Sequence, residues 1–421
     1  MSSANMEYEI KQLAANAKKS AHQLAMTTNE QRNHALQLIA QRLVHEKLAI
    51  LKANQNDLDQ AREKGLSPSM IDRLKLDDKR IDAMADGLLE IAKQEDPLGR
   101  TLWQSVRPTG LDIRSISVPL GVIAVIYEAR PNVTVDAAGL CLKSGNSVVL
   151  RGGSEAKYSN RMIVEIIHHA LEQSDISPDV IQFVNTQERD AIKLLVSQSD
   201  SIDVVVPRGG KGLINYLTEH SKIPLFKHLD GICHTYIHKE ADAKKALDVS
   251  LNAKMRRTSI CGATETILVD RALSKTILPK LLNLLASAGC EVKIDPMLEG
   301  EYRDYPLAND EDWGREYLDS IVSVKLTEDI DHAVQHINHY GSHHTDSIIT
   351  ENLKMAEYFM RSVDSAVVMH NTSTQFSDGG EFGMGAEIGI ATGKLHARGP
   401  VGINQLTTFK YYVVSDGATR K

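Results

Sequence analysis

Cysteine is scarce in this sequence, and its copies lie far apart. No two cysteines form a C-x-x-C pair, and their spacing is not that of a metal site. A disulfide framework is not expected in a chain of 421 residues, which favours a reducing compartment, so we expect a cytoplasmic protein. The four cysteines are Cys141, Cys233, Cys261 and Cys290.

Long apolar runs and an excess of positive charge are also missing. No stretch approaches the roughly 20 apolar residues of a membrane span, and the first seven residues lack the basic start and apolar run of a secretory signal. The 48 Lys and Arg against 55 Asp and Glu give a formal net charge of −7. This balance argues against nucleic-acid or membrane-surface binding, which needs a basic face. Local basic clusters are therefore expected to serve small anionic ligands.

The remaining composition is that of an ordinary globular protein, with 42% apolar and 24% charged residues. The length predicts two or three domains. Apolar residues recur at helical spacing through residues 7–93, with a break at the turn 65–68. Residues 101–119 alternate around a P-T-G turn, which predicts a β-hairpin.

Strand–turn–helix units follow the hairpin. Continuous apolar runs at 121–127, 147–150 and 203–206 are typical of strands buried on both faces. Each precedes a helical pattern, so we predict a parallel α/β sheet. A second α/β region runs from 261 to about 369, and residues 407–414 again have the pattern of a strand.

Two glycine turns suit a phosphate-bearing cofactor, because backbone N–H groups at the start of a helix bind anions. Neither is a dinucleotide fingerprint or a Walker loop, and most such turns are only turns. An arginine beside such a turn can pair with a 2′-phosphate, which favours NADP over NAD, although a solvated surface arginine is the alternative. The candidate residues are Arg151, Gly152, Gly153, Ser154, Arg208, Gly209 and Gly210.

Cys261 has a setting that suits a nucleophile. Lys254, Arg256 and Arg257 precede it, and a β-branched run follows. A thiol reacts as the thiolate, which nearby positive charge favours, and the same cations suit an anionic leaving group. The pattern therefore indicates a nucleophile for an acyl compound that carries a phosphate. The alternative is an inert buried cysteine, which is the common case.

The 16 histidines show no metal-site spacing. Surface or hydrogen-bonded histidines are the main interpretation, and no metal is expected. His344, in the run H-T-D at 344–346, is a candidate to line a polar pocket.

Blocks of sequence in a fixed order span nearly the whole chain, and together they resemble γ-glutamyl phosphate reductase, a family of the aldehyde dehydrogenase superfamily. The blocks are S-V-P-L-G-V-I at 117–123, Y-E-A-R-P-N-V-T-V-D at 127–136, V-L-R-G-G-S-E-A at 149–156, V-P-R-G-G-K at 206–211, Y-G-S-H-H-T-D at 340–346, and G-A-E-I-G-I-A-T-G-K-L-H-A-R-G-P-V-G at 385–402.

The resemblance implies reduction of L-glutamate 5-phosphate by NADPH to glutamate 5-semialdehyde and phosphate, the second step of proline biosynthesis from glutamate. It also implies an α/β fold of the aldehyde dehydrogenase type and a homo-oligomer, dimer or tetramer, with glutamate 5-kinase as a further candidate partner. The implied regions are an NADP-binding domain at 1–100 and 118–250, a catalytic domain at 251–400, and an oligomerisation element at 101–117 and 401–421.

The resemblance carries over residue by residue. Cys261 matches the catalytic cysteine, and Asn132 matches the asparagine that helps to hold the oxyanion. Glu316 resembles the glutamate that binds the nicotinamide ribose.

The cofactor turns carry over as well. Gly209 and Gly210 match the turn against the pyrophosphate. Arg151 stands where many relatives carry a cofactor-contacting lysine, and Ser154 stands near the usual ribose-binding acid, whose absence fits NADP.

The substrate ligands are assigned by charge. Lys254 and Arg257 are candidates for the leaving phosphate, and Lys394 and Arg398 for the α-carboxylate of the substrate, with solvated surface cations as the alternative.

One departure from the superfamily bears on the reaction. His228 stands where hydrolytic aldehyde dehydrogenases carry the glutamate that activates water. A reductase of an acyl phosphate needs no such water, so the departure supports the assignment. The rival interpretations are a hydrolytic NAD(P)-dependent semialdehyde dehydrogenase and a cofactor-binding protein without catalysis.

Overall fold

The structure is a computed structural model, and it describes residues 3–227 and 230–420. The contacts divide the chain into two compact units. The first unit comprises Met1–Lys227, Gly383–Gly389 and Val401–Lys421, and the second comprises His228–Phe382 and Ile390–Pro400. No helix among the described residues is long and apolar enough to cross a membrane.

The first unit begins with five helices, which agree with the helical periodicity predicted for residues 7–93, although that pattern indicated only one break, at 65–68. Side chains cap three of them: Thr28 forms a capping box with Gln31, and Ser67 and Asp77 each accept a backbone N–H of the helix that follows. The turn predicted at 65–68 separates the third helix from the fourth. The helices are α1 (Ser3–Leu24), α2 (Asn29–His45), α3 (Lys47–Glu63), α4 (Pro68–Leu74) and α5 (Asp78–Lys93).

The predicted hairpin is present and forms β1 (Thr101–Val106) and β2 (Asp112–Pro119). Gly110, at a φ of +86°, makes the left-handed bend between them. The C-terminal strand Thr407–Val414 pairs antiparallel with β2, so the two segments predicted to form one element lie in one three-stranded sheet.

The first unit also contains a parallel sheet of four strands in the order β5-β4-β3-β6. Three of the strands were predicted from their apolar runs; β5 has only three residues and was missed. Apolar side chains of the sheet and of α1 form the core of this unit. The strands and their helices are β3 (Val122–Tyr127), α6 (Asn132–Lys143), β4 (Ser147–Gly152), α7 (Lys157–Leu171), β5 (Ile181–Phe183), α8 (Asp190–Leu195), β6 (Val204–Arg208) and α9 (Lys211–His220).

The second unit is built on a parallel sheet of six strands in the order β12-β11-β7-β8-β10-β9. Its elements are β7 (Cys233–Ile237), α10 (Ala243–Met255), β8 (Thr264–Asp270), α11 (Leu278–Ser287), β9 (Glu291–Ile294), β10 (Ile321–Thr327), α12 (Ile330–Tyr340), β11 (Thr345–Ile349), α13 (Leu353–Ser362) and β12 (Val367–His370). The parallel α/β architecture predicted for both halves of the chain is thus confirmed.

The boundary between the units differs from the predicted one at residues 250 and 251. Strand β7 lies between β11 and β8, inside the second sheet, because its backbone pairs with both. Residues 383–389 belong to the first unit, whereas we predicted them in the catalytic domain. The sequence of a buried strand does not indicate which of two parallel sheets the strand will join. The boundary between the units therefore could not be predicted from the sequence.

Candidate active site

Cys261 lies in the short loop between α10 and β8, in the second unit. All four cysteines are in the described part of the chain, and Cys261 alone is partly exposed, whereas the other three are buried. Burial raises the pKa of the Cys141 and Cys290 thiols, the latter to about 11, because a thiolate is poorly solvated there. Solvent access therefore separates Cys261 from the inert cysteines.

The backbone of Gly231 packs directly against Cys261. A Cβ at residue 231 would overlap the carbonyl oxygen of Cys261 and lie 2.5 Å from its Cα. The N–H of Gly231 donates to Oε1 of Glu316 at 2.9 Å. The loop that carries the Cys261 thiol is therefore held in place by the loop that carries Gly231. Glu316, the predicted ribose ligand, accepts a hydrogen bond from this second loop.

We expect Gly231→Ala to lower kcat on the order of 100-fold, because the added methyl must push the Cys261 loop out of place. The unfolding midpoint should also fall, since overpacking typically costs about 1–3 kcal/mol. Steady-state kinetics and denaturant unfolding measure the two effects. Gly300→Ala is the matched control, because a Cβ there meets nothing within 4 Å. A wild-type kcat in Gly231→Ala would show that the packing is irrelevant to the site.

His344 immediately precedes β11 and is buried beside the loop that carries Cys261. The Sγ of Cys233 lies 3.1 Å from the carbonyl oxygen of Cys261 and 3.6 Å from Nδ1 of His344. The same nitrogen lies 2.9 Å from Oγ1 of Thr345. The structure thus brings His344 to the Cys261 loop through Cys233, but it does not expose the imidazole to a substrate.

Lys254 does not fit the predicted role of phosphate ligand. Its Nζ donates to Oε2 of Glu265 at 2.5 Å, and both side chains are fully buried. Burial raises the pKa of Glu265 to about 7, although the lysine acts in the opposite direction. A cation that is enclosed and already paired cannot receive a leaving phosphate, so the expectation for Lys254 is corrected.

The two arginines that follow remain accessible. Arg256 and Arg257 are exposed at the end of α10. Gln375 joins them to a neighbouring loop: its Nε2 donates to the carbonyl oxygen of Arg257 at 3.3 Å, and its Oε1 accepts from Nη1 of Arg256 at 3.4 Å. Of the three cations that precede Cys261 in the sequence, these two arginines therefore remain exposed.

An open cavity of about 600 Å³ lies on the same side of the second unit. Sequence reasoning did not find it, because it joins α10 to a distant loop. Its lining combines amide, hydroxyl and charged side chains and includes Asn252, Arg256, Ser373, Gln375 and Glu381.

Lys394 and Arg398, the candidates for the α-carboxylate, lie together but share a carboxylate of the protein. Nζ of Lys394 lies 2.6 Å from Oδ2 of Asp364, and Nη2 of Arg398 lies 3.0 Å from Oδ1. The bond from Lys394, with that from Arg398, holds the pKa of Asp364 below its ordinary value. Two cations against one carboxylate leave one positive charge in excess, so an anion can still bind there.

In the first unit, Asn132 is the first residue of α6. Its Nδ2 donates to Oδ2 of Asp136, one turn later, at 2.9 Å. The sequence identified Asn132 through the resemblance, but it gave no reason to single out Asp136.

The residues of the first glycine turn differ in what they contact. A Cβ on Gly152 would overlap Nδ2 of Asn160, so this glycine serves packing. Arg151 is buried, its Nη2 donates to the carbonyl oxygen of Gln187 at 3.3 Å, and its Nε has no hydrogen-bond partner among the described residues. Burial lowers the pKa of Arg151.

Gly153 and Ser154 complete this turn. A Cβ on Gly153 would overlap Oε2 of Glu155 and lie 3.3 Å from the Cα of Glu128. Ser154 is exposed and begins a single 3₁₀ turn that leads into α7.

The second glycine turn already holds an anionic oxygen. The N–H of Gly210, at the start of α9, donates to Oε2 of Glu128 at 2.9 Å. A Cβ on Gly209 would lie 2.5 Å from the same oxygen. Arg208 ends β6, and its charge favours the ionised form of the Asp136 carboxylate. The turn thus has a backbone donor that binds an anionic group, and Glu128 occupies it.

Residues 2–300 match the sequence profile of the Aldehyde dehydrogenase family. Two relatives named Gamma-glutamyl phosphate reductase match nearly the whole chain. That of Paramagnetospirillum magneticum is 49% identical over 420 residues (100% of this chain, 99% of its own), and that of Rhodospirillum rubrum is 54% identical over 399 residues (94% and 93%). The chain belongs to the aldehyde dehydrogenase family. It is an oxidoreductase of that family, and its resemblance to γ-glutamyl phosphate reductases is confirmed.

Solved structures agree with this placement. The Gamma-glutamyl phosphate reductase of Thermotoga maritima superposes with a TM-score of 0.96 at 39% identity, covering 98% of this chain and all of its own. A glyceraldehyde-3-phosphate dehydrogenase of Methanocaldococcus jannaschii, solved in complex with NADP, shares the fold at 15% identity, with a TM-score of 0.69 over 97% of this chain and 95% of its own.

Proposed function

We propose that this chain reduces L-glutamate 5-phosphate to glutamate 5-semialdehyde and phosphate with NADPH, in the biosynthesis of proline. The names of its full-length relatives support the substrate. The observation that carries the chemistry is the partly exposed thiol of Cys261 in a loop fixed by Gly231, while the other cysteines are buried.

The proposed reaction passes through a thioester. The thiolate of Cys261 attacks the γ-carbonyl carbon, and the carbonyl electrons move to the oxygen. The Asn132 amide and a backbone N–H stabilise this oxyanion. When the carbonyl re-forms, the C–O bond to phosphate breaks and phosphate leaves with its electron pair, assisted by Arg257.

Reduction then releases the product. The cofactor, when bound, supplies a hydride to the thioester carbon. The resulting alkoxide is again held by Asn132, and its collapse expels the Cys261 thiolate and yields the aldehyde. No water is consumed, so the proposal needs no general base for hydrolysis. His228, at that position, lies outside the described residues.

The glycine turns of the first unit support the cofactor assignment. Gly210 already donates its N–H to a carboxylate, and Arg208 carries a positive charge at the end of β6. Arg151 keeps one N–H without a partner in the described part. These groups would hold the phosphates of NADPH, and the absence of an acid at Ser154 supports NADP over NAD. Glu316 remains the candidate for the nicotinamide ribose.

Glu128 occupies the donor that a cofactor phosphate would use, so Glu128→Gln should bind NADPH more tightly. The neutral amide is a weaker acceptor and removes a charge that repels the phosphates; we expect about a 3- to 30-fold lower Kd. Fluorescence titration of NADPH measures it without turnover. Glu219→Gln, at the other end of α9, controls for net charge. Weaker binding by Glu128→Gln would mean that the carboxylate contacts the cofactor favourably.

The direct test of the function is NADP reduction with glutamate 5-semialdehyde, with and without inorganic phosphate. Strict dependence on phosphate is the expected result, because phosphate is the nucleophile that releases the thioester in reverse. Turnover without phosphate would replace the proposal with the hydrolytic semialdehyde dehydrogenase. Cofactor binding without turnover in either assay would indicate a protein that has lost catalysis.

The three-stranded sheet supports the proposed homo-oligomer. Apolar side chains of β1 and of the C-terminal strand are exposed in the single chain, among them Trp103 (51%) and Val414 (61%). Exposed apolar surface of this kind is typical of an interface. Whether the assembly is a dimer or a tetramer, whether glutamate 5-kinase docks, and the cytoplasmic location stay predictions from the sequence.

A further inference from the structure

The side-chain amide of Asn132 is hydrogen-bonded to the carboxyl group of Asp136. When that group is ionised, it can only accept hydrogen bonds. Nδ2 of Asn132 lies 2.9 Å from Oδ2 of Asp136. An asparagine side chain has two donors on nitrogen and an acceptor oxygen at nearly the same shape, so packing alone does not select its orientation. A carboxylate selects it, because only the nitrogen end can donate. Asp136 therefore determines which end of the amide faces away from it.

This choice matters for an oxyanion. With one N–H of Asn132 bound to Asp136, the second N–H of the same nitrogen remains to donate to a negatively charged oxygen. In the reversed orientation the carbonyl oxygen of the amide would take the place of the nitrogen, and two acceptors would face each other. A protonated Asp136 permits that reversal, because its O–H can donate to Oδ1 of Asn132.

The surroundings of Asp136 make its ionisation sensitive to pH. Burial raises its pKa to about 6, against the opposing effects of the Asn132 bond and of Arg208. Arg208, at the end of β6, is the charge that favours the ionised form. On α6 itself, Nζ of Lys143 donates to Asn29 and Asn33. On the helices packed against α6, Arg32 is paired with Asp96, Lys93 with Glu90, and Arg161 with Glu165.

We propose that Asp136 is a positioning residue, whose carboxylate holds the Asn132 amide with its nitrogen toward the oxyanion. This inference rests on the proposed function, in which Asn132 holds that oxygen. Asp136 itself contacts no reacting atom, so its effect passes entirely through Asn132.

If the hydrogen bond between Asn132 and Asp136 served only the stability of α6, its loss should change neither kcat nor the pH dependence of kcat. An asparagine–carboxylate pair four residues apart on a helix contributes only slightly to folding. Asn5 and Glu9 of α1 form such a pair, with 3.0 Å between Nδ2 and Oε1. Glu9→Gln is therefore a matched control, and it should change neither kcat nor its pH dependence.

The test is the pH profile of kcat for Asp136→Asn against wild type, in the phosphate-dependent reverse reaction between about pH 5 and pH 8. The variant keeps the shape of the side chain but no longer selects the amide orientation. Above pH 6, where Asp136 is ionised, we expect kcat to be on the order of tenfold below wild type, with KM changed less. Below pH 6 the wild type protonates Asp136, so the difference should shrink.

The remaining outcomes separate this inference from the function. Asn132→Ala should be slow, and adding Asp136→Asn to it should cost nothing more, because the two act as a unit. A constant ratio of wild type to Asp136→Asn across the pH range, or equal rates above pH 6, would overturn the positioning role. A wild-type rate in Asn132→Ala would instead overturn the proposed use of Asn132. Circular dichroism melts confirm that each variant is folded.

Discussion

Replacing Cys261 with alanine should abolish reduction of the acyl phosphate, with a loss in kcat on the order of 10⁴-fold or more. The thiolate is the group that forms the covalent bond, and no other thiol replaces it, because Cys141, Cys233 and Cys290 are buried. The rate is measured as NADPH consumption with L-glutamate 5-phosphate, or as phosphate-dependent NADP reduction. NADPH binding should be unchanged, which separates lost chemistry from a lost site.

The control for Cys261 is another cysteine of the same unit. Cys290→Ala removes a thiol that follows α11 in the core, and it should lower stability modestly while kcat stays within about twofold. Mass spectrometry supplies a second readout: wild type incubated with acyl phosphate but no NADPH should carry a glutamyl adduct on Cys261. A Cys261→Ala variant that retains wild-type turnover would rule out the thioester.

The elements that the sequence predicted well are those whose pattern is local. Helical spacing, continuous apolar strands and the P-T-G turn each depend on neighbours within a few residues, and the helical N-terminal region, the hairpin and three of the parallel strands were predicted from them. The candidate nucleophile was accessible for the same reason, since Cys261 is marked by the basic residues before it.

The site residues that were missed depend on contacts between distant segments. Gly231 is thirty residues before Cys261, yet its lack of a side chain is what lets the two backbones touch. Glu128 follows β3 and meets the Gly210 turn only because β3 and β6 are neighbours in the sheet. Neither residue has a local signature. Their roles follow from strand order, which the apolar pattern alone does not give.

Lys254 shows that a cation close to Cys261 in the sequence need not be a ligand of the substrate phosphate. Three cations precede Cys261, and in the sequence they look equivalent. Helix α10 separates them, because Lys254 lies on its buried face and Arg256 and Arg257 follow its last turn, in solvent. The partner of Lys254 is Glu265, inside the neighbouring strand β8. The sequence shows neither that Lys254 is buried nor that Glu265 is its partner.

Removing the cation of this buried pair should strongly destabilise the second unit. Lys254→Met leaves Glu265 enclosed without its partner, and breaking such a pair typically costs about 3–5 kcal/mol. The double variant Lys254→Met with Glu265→Leu should recover most of that loss, because no charge is then left without a partner. Urea unfolding measures both. Lys275→Met is the control, since its pair with Glu301 is exposed and should contribute less than about 1 kcal/mol.

The loss should also depend on pH, with a definite sign. Burial already raises the pKa of Glu265 to about 7 in the native protein, above its ordinary value of 4.5. In wild type and variant alike, the folded chain binds more protons at Glu265 than the unfolded chain between pH 4.5 and about 7, so both lose stability as pH rises through this range. Without Lys254 the pKa of Glu265 rises further, so above pH 7 only the variant continues to lose stability and its deficit widens. Lys254→Met should be closest to wild type near pH 4.5 and furthest from it above pH 7. If Lys254→Met lost the same stability relative to wild type near pH 4.5 and above pH 7, Glu265 would not be charged and buried in the variant. The pair would then contribute through packing alone.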